Sequence, residues 1–487
     1  MRCRNIYFTH IMRKFHYIED KNCPEPDDTT EEEQPFYAAR QALRRHANGG
    51  NILMLATVIA LIVANIPAIN SYYFEFWNEP LRLQIGSFNL FSHSGHPMTM
   101  LQFINDALMA VFFFSIGLEI KREVLVGELA SFRQALLPIV GAIGGMAMPV
   151  VIYLFFGYGT DYQGGAAIPM ATDIAFSLGV LAILGSRVPL TLKIFLTTLA
   201  VVDDIGGIIV IAVFYSSHIE WMLLVYAVAL LGLLLLGSRM HIKSKLFYLV
   251  IGGAVWFLFL NSGIHPTIAG VLVAFCVPAT PVFAPIKYVR DIRGAIARFR
   301  QDDDESLCRR SILDKDQMNW LKEIESASDK VISPLQDLED SLHPIVNNFI
   351  VPLFAFANAG IFLLDMDPST LFEGISLAII CGLFIGKFLG ILTFSWLTVK
   401  LGFAPLPKGC NWKMMSSIAV LGGIGFTVSL FIANLSFGGG DAGANYLLQH
   451  AKIGIVVGSV LSGIVGFLLL HHFLPAKKSR KEKASGN

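Results

Sequence analysis

The sequence predicts an all-α integral membrane protein of twelve transmembrane helices, arranged as inverted-topology repeats in which interrupted fourth and eleventh helices cross near the bilayer midplane. Three observations lead there. Of 487 residues, 54% are apolar and 15% charged, with 37 phenylalanines, whereas soluble domains carry roughly a quarter charged residues. Lys and Arg fall on alternate loops between the apolar runs, the pattern that sets orientation in a bilayer. Two runs in corresponding places of the two halves are broken by Pro, Gly and polar residues, the sequence pointer to a transport site between repeats. The formal net charge of zero identifies no partner; the bilayer is expected as one, and neither nucleic acid nor a cofactor is. Cys3, Cys23, Cys276, Cys308, Cys381 and Cys410 follow no disulfide or metal-ligand spacing, so no resident metal is expected.

Residues 1–49 read as a polar cytoplasmic tail, with Glu31-Glu32-Glu33 and Arg44-Arg45 before the membrane. The apolar residues between Arg4 and Arg13 are too few for a signal peptide, so the first span is expected to direct insertion. A window of roughly 20 apolar residues places spans near 50–68, 99–118, 135–157, 167–186, 189–215, 220–237, 246–260, 264–281, 344–364, 372–399, 413–436 and 446–473, within a membrane domain of 50–473. One set of loops holds Lys121, Arg122, Arg133, Arg187, Lys193, Arg239, Lys243, Lys245, Lys400, Lys408, Lys413 and the basic tail 474–487. The other set, 69–98, 158–166, 216–219, 261–263, 365–371 and 437–445, holds only Arg82. This alternation places both termini and the charged loop 287–343 in the cytoplasm. That loop, with Gln301-Asp302-Asp303-Asp304-Glu305, reads as a solvated face or as a regulatory module. Between the first two spans, 81–90 alternates apolar and polar residues about Gly86-Ser87, the pattern of a small hairpin. It gains stability either against its copy in a second subunit or on its own helices.

Asp203 and Asp204 stand in the middle of the apolar run 197–214. A carboxylate at the centre of a spanning helix costs ~2.5–3.5 kcal/mol even on an insertion scale. Successive helix positions point roughly 100° apart, so a hydroxyl that satisfies one aspartate leaves the other needing a partner or a water-filled cavity. The pair reads as an ion or proton site. In the fourth span Ile168-Pro169-Met170-Ala171-Thr172-Asp173, and in the eleventh Leu421-Gly422-Gly423-Ile424-Gly425-Phe426-Thr427, favour local unwinding, which membranes tolerate only where the freed backbone lines a cavity or packs in protein. Two such helices crossing would set like-signed dipole ends face to face. Asp173 is expected to offset the two N-termini and Lys387 the two C-termini; Thr172-Asp173 also has the form of an N-cap, a role compatible with ion coordination. Lys387 lies about 15 residues into its span, roughly 22 Å along a helix, and a lone ammonium there needs an acid, for which Asp203 is the expected partner. Asp106, Glu119 and His265 lie nearer span ends, where capping and interfacial contacts explain them as well as function does.

These residues, with Ala171-Thr172-Asp173-Ile174-Ala175-Phe176, Leu184-Gly185-Ser186-Arg187-Val188-Pro189, Val202-Asp203-Asp204-Ile205-Gly206, Pro352-Leu353-Phe354-Ala355-Phe356-Ala357-Asn358-Ala359-Gly360 and Gly423-Ile424-Gly425-Phe426-Thr427, closely resemble the NhaA-type sodium/proton antiporters over about residues 50–473. The resemblance implies an electrogenic, pH-dependent exchanger of sodium, and of lithium, for protons. It would sit in the bacterial inner membrane, serve sodium extrusion and intracellular pH homeostasis, and form a homodimer through the hairpin. It implies Asp203 and Asp204 as the ion- and proton-binding pair, Thr172 and Asp173 as ion-site residues of the unwound region, and Lys387 as the buried lysine beside the aspartates. Glu119, His265, Glu339 and His343 are assigned to a pH-response group on the same ground. The sequence departs from the family at Phe388, where proline is frequent. In 336–343 only Glu339 and His343 match the pH-response cluster, while Gln336 and Asp337 stand in place of basic residues.

Two carboxylates in a narrow cavity hold either protons or a sodium ion, so competition for the same oxygens suffices for exchange. The rivals are a sodium-coupled symporter of an organic anion on the same fold, and a channel or sensor that does not exchange. The small and aliphatic residues beside Asp173 and Gly425 give an organic solute little to bind. Enzymatic chemistry is not expected.

Overall fold

The computed structural model describes residues 49–82, 97–279 apart from 217–218 and 241, 332–362, 374–438 and 442–474, with paired strand residues between 84 and 96 and isolated helical residues between 290 and 324. The tail 1–48, most of the loop 287–331, residues 363–373 and the tail 475–487 lie outside it. Residues 1–46 and 280–333 form one unit, and everything below concerns the other, 47–279 with 334–487.

In hydrocarbon each backbone N–H and C=O must be satisfied within the protein, and the apolar runs accordingly become helices. In chain order these are α1 (Gly49–Asn65), α2 (Asn70–Asn78), α3 (Met100–Val126), α4 (Phe132–Gly157), α5 (Ile174–Leu184), α6 (Leu190–Phe214), α7 (Trp221–Arg239), α8 (Lys245–Ser262) and α9 (Pro266–Cys276). The second half adds α10 (334–358), α11 (Gly374–Lys400), α12 (Trp412–Leu421), α13 (Phe426–Phe437) and α14 (Ala442–Phe473). Among the described residues, eight helical stretches are long and apolar enough to cross a membrane, or ten if each of two bent pairs counts as one span. Twelve were expected. α9 has 11 residues and α10 opens with the polar turns 334–343, so neither meets that measure alone. α7 and α8 turn Val225, Val228, Leu236, Leu246 and Val250 outward, an apolar face suited to lipid.

The two bent pairs differ in kind. α1 and α2 meet at 112°, so α2 leaves the direction of α1; Tyr73 anchors it by donating to the Phe356 carbonyl at 2.5 Å. α12 and α13 diverge by only 42° and together are long and apolar enough for one interrupted span. Three further helices carry a single π turn, at Ile104–Leu108 in α3, Val346–Ile350 in α10 and Gly382–Gly386 in α11. Such turns cluster at functional positions, and the last directly precedes Lys387.

The hairpin pairs β1 (Gln84–Ile85) with β2 (Phe88–Asn89), Ile85 opposite Phe88 and Gln84 opposite Asn89, while Gly86-Ser87, on which the turn was expected, lies outside the described residues. A second pair, β3 (Ser92–His93) with β4 (His96–Pro97), was not expected, because its residues lack apolar alternation; the Ser94-Gly95 dipeptide was its one available signal. A bridge between Pro80 and Thr99 closes the excursion. A reciprocal Thr99–Gln102 capping box then starts α3.

Helix ends receive compensating charges. Lys121 donates to the Phe275 and Val277 carbonyls at the end of α9, at 2.6 and 2.5 Å. Arg187 donates to the His471 and Leu474 carbonyls at the end of α14.

Close packing of α4 on α11 sets the depth and direction of Lys387. A Cβ on Gly390 would run into the Gly144 carbonyl, one on Gly144 into the Gly390 carbonyl, and one on Gly386 would meet the Pro149 backbone at 2.7 Å. Small residues let membrane helices approach to backbone contact. Gly390→Val is therefore expected to cost about 3 kcal/mol or more through overpacking, read as a lower melting temperature of the detergent-purified protein; a wild-type melt would show that α4 and α11 separate freely.

Candidate functional site

Residues 168–173 and 422–425 break their helices and meet one another. Asp173 caps α5, one carboxylate oxygen accepting from the Phe176 N–H at 2.9 Å. Its other oxygen accepts from the Thr427 N–H at 3.1 Å and from the Thr427 hydroxyl at 2.6 Å, at the start of α13. One buried carboxylate thus lies between two helix N-termini, the favourable place for negative charge. The Asp173 N–H donates to the Ile424 carbonyl at 2.7 Å, tying the breaks directly.

The freed carbonyls are satisfied reciprocally. Ser177, four residues past the cap of α5, donates to the Leu421 carbonyl at 3.4 Å. Ser429, four residues past the Gly425 cap of α13, donates to the Ile168 carbonyl at 2.8 Å. Lys387, expected to offset the two C-terminal dipole ends, makes its own contacts with side chains and is linked to the Gly422 carbonyl through the Thr172 hydroxyl. Neutral hydroxyls complete the carbonyls, and the cation is kept for the carboxylate. Ser177, Ser429 and Thr427 were not singled out; an i+4 serine after each break was the signal available.

Asp203 and Asp204, adjacent on α6, meet different surroundings. Asp203 forms an ion pair with Lys387 in which both side chains are fully buried. Its Oδ2 also accepts from the Thr172 hydroxyl at 2.6 Å, and Lys387 donates to that hydroxyl at 2.9 Å. Asp203 Oδ1 is buried with no hydrogen-bond partner among the described residues. Asp204 lines a cavity of about 340 Å³ together with Thr172, Asp173, Thr427, Ser115, Glu119 and His343. One carboxylate is neutralised in protein while its neighbour borders open space.

At the cavity's other end stand Glu119 and His343, and Arg122 makes an ion pair with Glu339 at 2.6 Å. Glu339 lies in 334–343, before the apolar part of α10, and burial lifts its carboxyl to about 7 against the pull of the Arg122 guanidinium. Asp337 pairs with Lys245 at 2.7 Å, and Lys245 also donates to the Ser341 hydroxyl. His265 lies apart from this group. Its Nε2 stands 3.6 Å from Asp106 Oδ1 at the opposite end of α3 from Glu119, and its Nδ1 contacts the Thr267 hydroxyl. Beside it, Asn434 donates to Asn358 and Asn358 to Asn105, each at 2.9 Å.

Residues 40–470 match the family described as Na+/H+ antiporter 1. The chain is 55% identical to the Na(+)/H(+) antiporter NhaA of Phocaeicola vulgatus over 446 residues, covering 91% of this chain and 98% of that one. It is 53% identical to the protein of the same name from Bacteroides fragilis over 428 residues, 88% and 96% of the two chains. To the Na(+)/H(+) antiporter NhaA 1 of Saccharophagus degradans it is 41% identical over 441 residues, 90% and 92%.

Two outcomes follow from the geometry. Lys387→Met alone and Asp203→Asn alone each leave a buried charge unpaired and are expected to cost ~3–5 kcal/mol. The double substitution, which removes both charges, is expected to melt above either single variant; a double variant that melts below both would mean the two side chains contribute independently. The second outcome concerns Glu339. A carboxyl raised from 4.5 to about 7 binds more protons folded than unfolded across that interval, so its contribution to stability is full below pH 4.5 and is lost as pH rises to 7. Glu339→Gln is expected to flatten the dependence of melting temperature on pH in that window, and an unchanged slope would contradict the assignment.

Proposed function

The chain belongs to the family of Na+/H+ antiporters, and on that premise we propose how its residues exchange sodium for protons. Sodium enters from the cavity to the Asp204 carboxylate and draws on the unpartnered Asp203 Oδ1, while protons compete for the same oxygens. The observation that carries this reading is the division of labour on α6: Asp204 lines the cavity, and Asp203 is held by Lys387 and Thr172 until a cation arrives. Sodium at the site weakens the attraction between Asp203 and Lys387, so ion binding and the internal pair are alternatives. Lys387 acts in this scheme as the counter-charge that neutralises Asp203 in the empty site. Exchange of protons on both carboxylates for a single sodium ion moves net charge, which makes the cycle electrogenic. Lithium, a smaller hard cation, fits the same oxygen donors.

Thr172 and Asp173 complete the site. The Thr172 hydroxyl is shared between Lys387, Asp203 and the Gly422 carbonyl, and a cation that draws on any of them redistributes the other contacts. Asp173 holds the two N-termini and borders the same cavity. The reciprocal bonds from Ser177 and Ser429 support an inverted-repeat crossing within a twelve-span bundle.

Alternation between the two sides is supported by one sequence of layers repeated on three helices. Phe112 and Ser115 of α3, Val351 of α10 and Thr427 of α13 line the cavity. Phe113, Phe354 and Phe431 follow, with ring centroids 5.6 and 6.4 Å from Phe431, and beyond them stand Asn105, Asn358 and Asn434. The site is closed on that side and open at the end that carries Arg122 and Lys245. The positive-inside tendency makes the open end cytoplasmic, with both termini on that side of the bacterial inner membrane. Glu119, Glu339 and His343, gathered at this mouth, are placed to make access pH-dependent, whereas His265 and Asp106 lie beyond the closed layers. The hairpin at Gln84–Asn89 offers strand edges to a second copy and thereby a homodimer.

Symport of an organic anion is the weaker reading. Three carboxylates, Glu119, Asp173 and Asp204, line the cavity, and among its described residues there is no Lys or Arg to hold an anion. In everted vesicles sodium is expected to drive a pH change that potassium does not, and Asp204→Asn is expected to reduce it to background while the protein stays folded, because an amide neither releases a proton nor offers sodium a full charge. Sodium-driven pH change at the wild-type rate in Asp204→Asn would remove the proposed site.

A further inference from the structure

The break between α12 and α13 requires something to keep it open. In an unbroken helix the N–H groups of Phe426 and Thr427 would donate to the carbonyls four residues back, those of Gly422 and Gly423. The helix tightens instead: Gly423 donates to Val420 and Ile424 to Leu421. Thr427 N–H goes to Asp173, and Phe426 N–H goes to the Ser459 hydroxyl on α14 at 3.2 Å. The Gly422 carbonyl, released from Phe426, lies 3.0 Å from the Thr172 hydroxyl as a second acceptor for the one proton that also faces Asp203 Oδ2 at 2.6 Å. Ser459 is 2% exposed and approaches the break from outside the crossing.

We propose that Ser459 is a positioning residue for the sodium site: by accepting the Phe426 N–H it holds the helix break open and leaves the Gly422 carbonyl to Thr172. The inference rests on the sodium site proposed at Asp203 and Asp204. Without the hydroxyl, the buried Phe426 N–H has two acceptors within its own neighbourhood. One is the Gly422 carbonyl, which closes the break by one helical bond and displaces the Thr172 hydroxyl. The other is the Asp173 carboxylate, which is already shared by Phe176 and Thr427. Either change moves Thr172 or its neighbour Asp173, and Thr172 contacts both Asp203 and Lys387. The effect therefore appears as altered sodium affinity rather than as lost capacity for transport.

Ser462, one turn further along α14, supplies the control. Its hydroxyl faces the same break, 2.6 Å from where a Cβ on Gly423 would stand, and it has no hydrogen-bond partner among the described residues. Proximity is shared by the two serines; the bond to Phe426 is not.

The test compares Ser459→Ala, Ser459→Thr, Ser459→Cys and Ser462→Ala with the wild-type chain in proteoliposomes, reading apparent KM for sodium, rate at saturating sodium, and the pH midpoint of exchange. Ser459→Ala is expected to raise the KM roughly threefold to tenfold and to shift the pH midpoint, with the saturated rate retained. Ser459→Thr, which keeps the hydroxyl, is expected to restore wild-type values, Ser462→Ala to match wild type, and Ser459→Cys, a weak acceptor, to fall between. If Ser459→Ala does not accumulate, the Cys and Thr variants carry the comparison. A wild-type KM in Ser459→Ala or Ser459→Cys, a Thr variant as impaired as the Ala variant, or an equal rise in Ser462→Ala would overturn the proposal. Absence of exchange in the wild-type proteoliposomes would instead overturn the proposed cycle, and sodium-dependent thermal shifts of the same variants would still read Ser459.

Discussion

The constraint on which this structure depends is the cost of polar groups in a water-poor interior. Breaking two helices at depth releases backbone donors and acceptors, and adding carboxylates and an ammonium raises the cost further. The molecule meets it by near-complete pairing. Asp173 takes donors from both breaks, the hydroxyls of Thr172, Ser177 and Ser429 take carbonyls, and Lys387 takes Asp203. At the centre of this network one carboxylate oxygen, Asp203 Oδ1, is left unpartnered among the described residues. An unsatisfied acceptor is expensive unless a ligand uses it, and here it stands in an ion pair whose neighbour in sequence borders a cavity.

The adjacency of Asp203 and Asp204 gives the two different tasks. A turn of roughly 100° between successive residues sends one toward α11 and the other toward the cavity between α3, α5 and α10. A single carboxylate would have to choose between holding Lys387 and meeting ions. In the proposed cycle two in succession share these tasks from one rigid helix, and the glycine packing of α4 on α11 fixes where the ammonium meets Asp203.

The sequence showed the aspartate pair, the two breaks, Asp173, Lys387 and the first hairpin, because each is a local anomaly: a charge, proline or glycine where periodic apolar residues belong. It did not show the second hairpin, whose residues lack alternation, or the short extent of α9. Nor did it show which side chains complete the freed carbonyls, since a buried cation is conspicuous in a sequence and a serine in a membrane helix is not. Ser177, Ser429 and Ser459 acquire meaning only when the partner carbonyl or amide, up to 261 positions away along the chain, is known. His265 was grouped with Glu119, Glu339 and His343 by resemblance, and the structure sets it beside Asp106 at the other end of α3, in keeping with the loop charges, which already set 261–263 opposite Lys121 and Arg122.

The charged mouth shows how a substitution can be absorbed without losing the cluster. Asp337 stands where the resemblance leads one to expect a base, which would add an acid beside Glu339 and Asp340. The structure answers it with Lys245 from the start of α8, so the local charge is balanced by another helix while Glu339 keeps Arg122. The two pairs have different consequences. Lys245 and Asp337 are both substantially exposed, and exposed pairs are screened by salt and contribute little. Glu339 is largely buried, and its carboxyl titrates near neutrality under the opposing influences of burial and Arg122. In the proposed function Glu339 therefore contributes to a proton-linked change at the cavity mouth, where Glu119 and His343 share its surroundings, while Asp337 is balanced by Lys245.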